Sequence, residues 1–249
     1  MSAWGMTVRG LSKFDKAAET YESATPVQRQ TAEALAQRIA AAGLPGSARV
    51  AEFGCGTGYL AEAAWEAVEP ALWVATDLSP AMAAIAAVSL SDEAVVAVMD
   101  AGRPALAAGF DMVCSSLTLQ WVADPKAAIS SWRTLVRPGG VLAVATLVEG
   151  SFAQWRAALA EAGVTAAGPA FPDLDELKTW FAPEAAVEVL TLTDRHDSAL
   201  EFARAAQAAG IDASDRRALT AGVMRQALKA FERDGSAVTY QVALIIEMT

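Results

Sequence analysis

Five short runs, Ala48–Gly54, Leu72–Leu78, Ala94–Asp100, Phe110–Ser116 and Gly140–Val148, are almost wholly apolar. They alternate with segments of helical composition at Leu60–Val68, Ala81–Val88 and Lys126–Leu135. Runs this short and this apolar suit strands buried on both faces of a parallel sheet. Later in the chain Ala186–Thr193 and Ala237–Met248 also read as strands, separated by helices around Ser198–Ala209 and Ser214–Arg233. The pattern predicts an α/β fold: a doubly wound, mostly parallel sheet of seven strands with right-handed crossovers and one antiparallel edge strand. Lys13–Ala42 adds one or two helices ahead of the sheet. Ser151–Phe181 adds helix in the last third, broken at Gly168-Pro169 and at Pro172.

Length and composition narrow the function classes. A chain of 249 residues accommodates one such domain, divided into a helical cap (13–42), a core (48–148) and a closing region (149–249). The longest uncharged stretch, Leu78–Ser91, has 14 residues, short of the ~18–20 that a membrane span needs. Met1–Gly10 carries no apolar signal core. A cytoplasmic protein without membrane contact is expected. The net charge of −10 opposes nucleic-acid binding, which needs clustered Lys and Arg on phosphates. Two cysteines, Cys55 and Cys114, and one histidine, His196, are too few for a metal cluster, so no metal is expected. His196 reads as a surface or strand-edge residue.

The end of the first run carries the chemistry. In Glu52-Phe53-Gly54-Cys55-Gly56-Thr57-Gly58 the glycines permit positive φ and let a ligand approach the backbone closely. In an open α/β sheet, ligands bind beyond the carboxyl ends of the strands. A dinucleotide pattern G-x-G-x-x-G would need glycine where Tyr59 stands, which disfavours a nicotinamide-dependent oxidoreductase. The G-x-G-x-G spacing, with an acid two residues ahead, resembles the cofactor loop of class I S-adenosyl-L-methionine (SAM)-dependent methyltransferases. Asp77, followed by Leu78, ends the second run 19 residues after Gly58, where an acid can accept both ribose hydroxyls. Ser79-Pro80 fills the N-cap and first positions of the next helix, leaving Asp77 free for that role. In the class I pattern Asp100 accepts from the adenine amino group, the Ala101 backbone meets the ring, and the Ser115 carbonyl faces the methionine ammonium. The backbone of Gly54, Cys55 and Gly56 approaches the methionine portion, with Glu52 ordering that loop. Phe110-Asp111 also fits the pattern, in a structural role.

A closer resemblance spans nearly the whole chain. Phe14-Asp15-Lys16-Ala17-Ala18-Glu19-Thr20-Tyr21 followed by Gln28-Arg29-Gln30, Leu117-Thr118-Leu119-Gln120-Trp121, and Thr146-Leu147-Val148-Glu149-Gly150-Ser151 are similar to malonyl-acyl-carrier-protein O-methyltransferases of biotin synthesis. The resemblance implies methyl esterification of the free carboxylate of a malonyl thioester on an acyl carrier protein or CoA. It also implies that Arg204 grips that carboxylate by a two-pronged hydrogen bond; the family's nearby lysine is Gln207 here. Tyr21 bonds the cofactor or the substrate acid, and Trp121 walls the acceptor pocket. Read without the resemblance, Arg204 is a solvated helix cation, Tyr21 a packing aromatic and Trp121 a core residue.

The segment Ser115–Trp121 supplies no His, Asp, Glu or Lys. A carboxylate is already ionised near neutrality and needs no general base, which suits that segment. Ser198–Gly235 holds six cations against five acids, a locally basic stretch in an acidic chain that could steer an acidic carrier. Methylation of another small acid or of a quinone precursor, or SAM binding without catalysis, stays open at this point.

Overall fold

The structure, a computed structural model, describes residues 25–90, 94–164, 171–208 and 220–249. Seven strands form one sheet: β1 (Arg49–Phe53), β2 (Leu72–Asp77), β3 (Ala94–Val98), β4 (Phe110–Ser116), β5 (Val136–Leu147), β6 (Ala186–Arg195) and β7 (Ala237–Met248). Their spatial order is β3-β2-β1-β4-β5-β7-β6. The first five pair in parallel, and β7 runs antiparallel to both β5 and β6. The antiparallel strand expected at the edge region is thus β7, one position in, with β6 outermost. The chain turns back across the sheet between β1 and β4, which opens a crevice beyond their carboxyl ends.

Eight helices lie among the described residues. These are α1 (Pro26–Ala42), α2 (Tyr59–Val68), α3 (Pro80–Ser89), α4 (Pro125–Leu135), α5 (Ala153–Glu161), α6 (Leu174–Lys178), α7 (Ala199–Ala208) and α8 (Ala221–Arg233). Leu35 and Ile39 of α1, Leu60 of α2, Trp155 of α5, Phe202 of α7 and Phe231 of α8 pack on one face of the sheet, against Val50, Met112, Val141 and Val242. Ile129 and Trp132 of α4 and Leu177 of α6 cover the other face, against Ala51, Val113, Val144 and Ile245. Alternate strand residues serve the two faces, the period-two consequence of a pleated backbone.

Local signals act as their chemistry requires. The Ser79 hydroxyl accepts the Met82 N–H at 3.2 Å, and Pro80 opens α3 where its missing N–H costs nothing. Asp124 and Thr220 cap α4 and α8 in the same way. The run Ala94–Asp100 departs from the two-faced burial read from composition. β3 is an edge strand, and Val95 and Val98 are exposed. Strand position is a property of topology, which composition does not carry. β5 begins at Val136, earlier than Gly140, because the register against β4 shifts between Phe110 and Met112. At that bulge a Cβ on Gly140 would lie 2.7 Å from the Asp111 carbonyl oxygen.

Among the described residues of Ser151–Phe181, α5 and the short α6 are helical, and the expected break at Gly168-Pro169 lies outside the described residues. The beginnings of the expected helices at Lys13–Ala42 and Ser214–Arg233 fall outside the described residues.

Candidate cofactor and acceptor cleft

The loop after β1 is folded back onto β2. Both the Gly54 and Cys55 N–H groups donate to the Thr76 carbonyl, at 2.7 and 2.9 Å. Gly54 has φ +70°, and a Cβ there would fall 2.0 Å from Thr118 Oγ1, so no other residue fits. The Thr118 hydroxyl in turn donates to the Gly54 carbonyl at 3.1 Å. This loop forms one wall of a cleft of about 340 Å³, within the range of small-molecule sites.

Asp77 is not left free. Its Oδ2 accepts the Gly56 N–H at 2.9 Å and its Oδ1 accepts the Ser79 N–H at 2.8 Å. The carboxylate therefore clamps the glycine loop to the start of α3, and its remaining lone pairs can still accept hydroxyls. Asp100 combines two functions similarly: Oδ1 accepts the Gly102 N–H at 2.8 Å while the residue lines the cleft. Ala101, also in the wall, is held by its carbonyl, which accepts Trp132 Nε1–H at 2.8 Å.

Glu52 is 1% exposed and accepts a hydrogen bond from Trp73 Nε1 at 2.9 Å. Burial pushes its carboxyl up to about 7; the tryptophan bond pulls the other way, and the Asp77 charge adds to the rise. Burial likewise pushes the Cys55 and Cys114 thiols well up, so neither is a nucleophile near neutrality. Cys55 sits in the wall as a small side chain in a tight turn.

Beyond β4, Ser116, Leu117, Thr118 and Trp121 line the opposite side. The Ser115 side chain lies beneath them, donating to the Phe53 carbonyl at 2.8 Å, and Ser115 is not among the lining residues. Trp121 ends a 3-10 turn, Leu119–Trp121. Gln120 buttresses that turn, with Nε2 donating to the Leu117 carbonyl at 2.6 Å and Oε1 accepting from Thr146 at 3.3 Å.

Of the two residues singled out for the acceptor acid, only Arg204 is placed by the structure. Tyr21 lies outside the described residues. Arg204 is exposed on α7 and is not a lining residue. His196 follows edge strand β6 but is not a surface residue: its side chain is 8% exposed, with Nε2 3.2 Å from Asp194 Oδ2. It packs on Phe202 because α7 folds down over the strand end. Asp111 works at the far end of the sheet, accepting the Arg49 N–H at 2.7 Å and pairing with Arg137.

Several lining residues carried no site role in the sequence reading. Gln28 and Ala32 come from α1, and Tyr59 from the start of α2. The Tyr59 hydroxyl is 3.3 Å from Thr25 Oγ1, and Arg29 stacks over its ring at 4.2 Å. A usable signal existed for Gln28: it is the polar member of the stripe Gln28, Ala32, Leu35, Ile39. Arg103, Thr118 and Asp124 also contribute to the wall, and nothing local marks them.

Four acids (Glu52, Asp77, Asp100 and Asp124) line the cleft, with Arg103 the only cation in its wall among the described residues. Glycine backbone is exposed at Gly56, where an added Cβ would meet nothing within 4 Å. Such a lining fits a nucleoside that carries a positive charge. Among the described residues no group of three or more His, Cys, Asp or Glu could hold a metal ion, and no helix is long and apolar enough to cross a membrane.

Comparison with known proteins agrees. Residues 51–144 match the methyltransferase domain family. Solved structures share the architecture: YcgJ of Bacillus subtilis superposes with a TM-score of 0.60 at 15% identity, covering 85% of this chain and 95% of that one. A methyltransferase of Bacillus halodurans described as putative gives 0.58 at 14% identity, covering 85% and 96%. The fold and cleft define a class I methyltransferase, and its cofactor is S-adenosyl-L-methionine. Among curated relatives, the biotin biosynthesis bifunctional protein BioCD of Bordetella avium is 38% identical over 94% of this chain and 51% of its own length. The chain thus spans about half of that relative. Malonyl-[acyl-carrier protein] O-methyltransferase of Magnetococcus marinus is 32% identical, over 89% of this chain and 86% of its own length. The chain belongs to the malonyl-[acyl-carrier protein] O-methyltransferase family.

Proposed function

We propose that this protein methylates the free carboxylate of a malonyl thioester carried on an acyl carrier protein, giving the methyl ester early in biotin synthesis. The observation that carries the reading is the acceptor side of the cleft. Ser116, Leu117, Thr118 and Trp121 line it, and none of them titrates near neutrality. An acceptor that arrives ionised suits such a wall, because no proton has to be removed. The names of the relatives supply the substrate class.

When bound, S-adenosylmethionine supplies an electrophilic methyl on a sulfonium and leaves as a neutral thioether. The chain's own part is positioning and charge placement. In this reading the backbone of Gly54, Cys55 and Gly56 lies along the methionine portion, and the Ser115 carbonyl accepts from its ammonium. Glu52 places a carboxylate under the cationic end. Asp77, beside Leu78, accepts the ribose hydroxyls, and Asp100 and Ala101 hold the adenine edge. Tyr21 bonds the cofactor or the acceptor acid and Arg204 grips that acid, as the family resemblance implies, while Trp121 walls it. All 249 residues act as one domain, with 13–42 as a cap, 48–148 as the cofactor core and 149–249 on the substrate side. The thioester partner is the acyl carrier protein printed in the relatives' names, with malonyl-CoA the alternative, the net cations of 198–235 suit steering of an acidic carrier, and the enzyme works in the cytoplasm.

The test is transfer of labelled methyl from S-adenosylmethionine to malonyl carrier protein, malonyl-CoA and free dicarboxylates in parallel. Turnover with the malonyl thioester alone supports the reading. Cofactor binding with no transfer to any of these acids would overturn it.

A further inference from the structure

A carboxylate acceptor has to be held by hydrogen-bond donors, and beside the hydroxyls of Thr57, Tyr59, Ser116 and Thr118 the cleft has few side-chain N–H groups. Among its described lining residues only Gln28, Arg103 and Trp121 carry side-chain N–H groups. Arg103 is exposed and belongs to the turn that Asp100 makes with Gly102, at the carboxyl end of β3. The other two belong to the part of the cleft built on β1 and β4. Gln28 stands on α1, the helix packed over α2 and the glycine loop, and Trp121 stands on the turn after β4.

The placement of Gln28 is unusual for its residue type. Ala32, Leu35, Ala36 and Ile39 on the same side of α1 are all buried in the core. One turn before Ala32 this stripe leaves the core and meets the cleft, and the residue there is a half-buried amide. A primary amide at the end of an apolar stripe is costly to desolvate unless a partner is supplied.

We infer that Gln28 is an acceptor-orienting residue, its side-chain amide donating to the carboxylate that receives the methyl group. This rests on the carboxyl-methylation reading given above. The donor is neutral, which matters chemically. A neutral donor fixes the direction of a carboxylate lone pair while leaving more negative charge on oxygen than a guanidinium would. Charge neutralisation then comes from the sulfonium itself. The C–O bond forms as the S–C bond breaks, the electron pair stays on sulfur, and no proton moves.

The experiment uses the full-length chain saturated with S-adenosylhomocysteine. Malonyl-pantetheine and its methyl ester are compared as ligands by calorimetry for wild type, Gln28→Ala and Gln28→Glu. Gln28→Ala is expected to weaken the acid about 10- to 100-fold, the loss for a hydrogen bond to a charged group. Gln28→Glu weakens the acid further through repulsion yet leaves the neutral ester within about twofold. Kinetics with malonyl carrier protein then show a raised KM in both variants, while their affinity for S-adenosylhomocysteine, measured separately, matches wild type.

Equal weakening of acid and ester, or a loss of S-adenosylhomocysteine affinity in Gln28→Ala, would make the residue structural or a cofactor contact and overturn the inference. Wild-type protein that neither binds nor methylates the malonyl thioester would sink the substrate reading itself. Wild-type turnover that Gln28→Glu leaves untouched sinks the Gln28 assignment alone.

Discussion

Gly54 and Asp77 hold the same loop by different physics. Gly54→Ala combines a positive-φ penalty with a 2.0 Å clash against Thr118, each worth ~1–3 kcal/mol. It should lower stability by about 2–4 kcal/mol, measurable by urea unfolding, together with a loss of S-adenosylmethionine binding. Asp77→Ala removes the acceptor of two backbone N–H groups. Each such bond to a charged group is worth ~1.5–3 kcal/mol. Calorimetry should show S-adenosylmethionine affinity down by about 100-fold, and unchanged affinity would remove Asp77 from the site. Glu52 gives a pH signature. Its carboxyl titrates at about 7 in the cofactor-free protein, so the charged form that attracts a sulfonium is populated only above that pH. Cofactor affinity should tighten as pH rises from 6 to 8, and Glu52→Gln should flatten the profile.

At the scale of elements, α5, α7 and α8 are joined through three aromatic rings. Trp155 to Phe202, Trp155 to Phe231 and Phe202 to Phe231 have centroid separations of 5.3, 5.5 and 4.6 Å. Phe231 is 1% exposed, so Phe231→Ala leaves a cavity costing about 3–5 kcal/mol, read as a drop in the urea midpoint. Loss of acceptor turnover before loss of cofactor binding should accompany it, because the glycine loop lies outside this cluster. These helices show how far element-level reading extends. Their existence was legible from composition, but their docking on one another was not. It depends on rings 29 to 76 positions apart in the chain, and no local period encodes such a meeting.

For the molecule as a whole, Glu52 links pH to stability. A carboxyl raised from its ordinary 4.5 to about 7 in the folded state stabilises the fold below about pH 4.5. That contribution is lost as pH rises through about 7. The cofactor-free protein should therefore lose Tm between pH 5 and 8 relative to Glu52→Gln, and S-adenosylmethionine should restore the difference; parallel Tm profiles would refute the linkage. Net charge enters at this scale too. At −10 the chain repels any acidic partner on average, so in the proposed reading encounter with a carrier protein depends on local cations rather than the overall field.

The amino-acid sequence alone determined the sheet's chemistry: short apolar runs that form strands, a glycine loop that only positive-φ residues can make, and acids at Asp77 and Asp100 just where the second and third runs end. These properties live in contiguous residues, where sterics and hydrogen bonding act locally. The tertiary structure decided that Ala94–Val98 would be an edge, that Asp77 would clamp Gly56, that Thr118 would fill the space over Gly54, and that Gln28 rather than Arg204 would face the cleft. Each of these depends on groups brought together from distant positions, and only the packing of helices onto the sheet selects which of them meet.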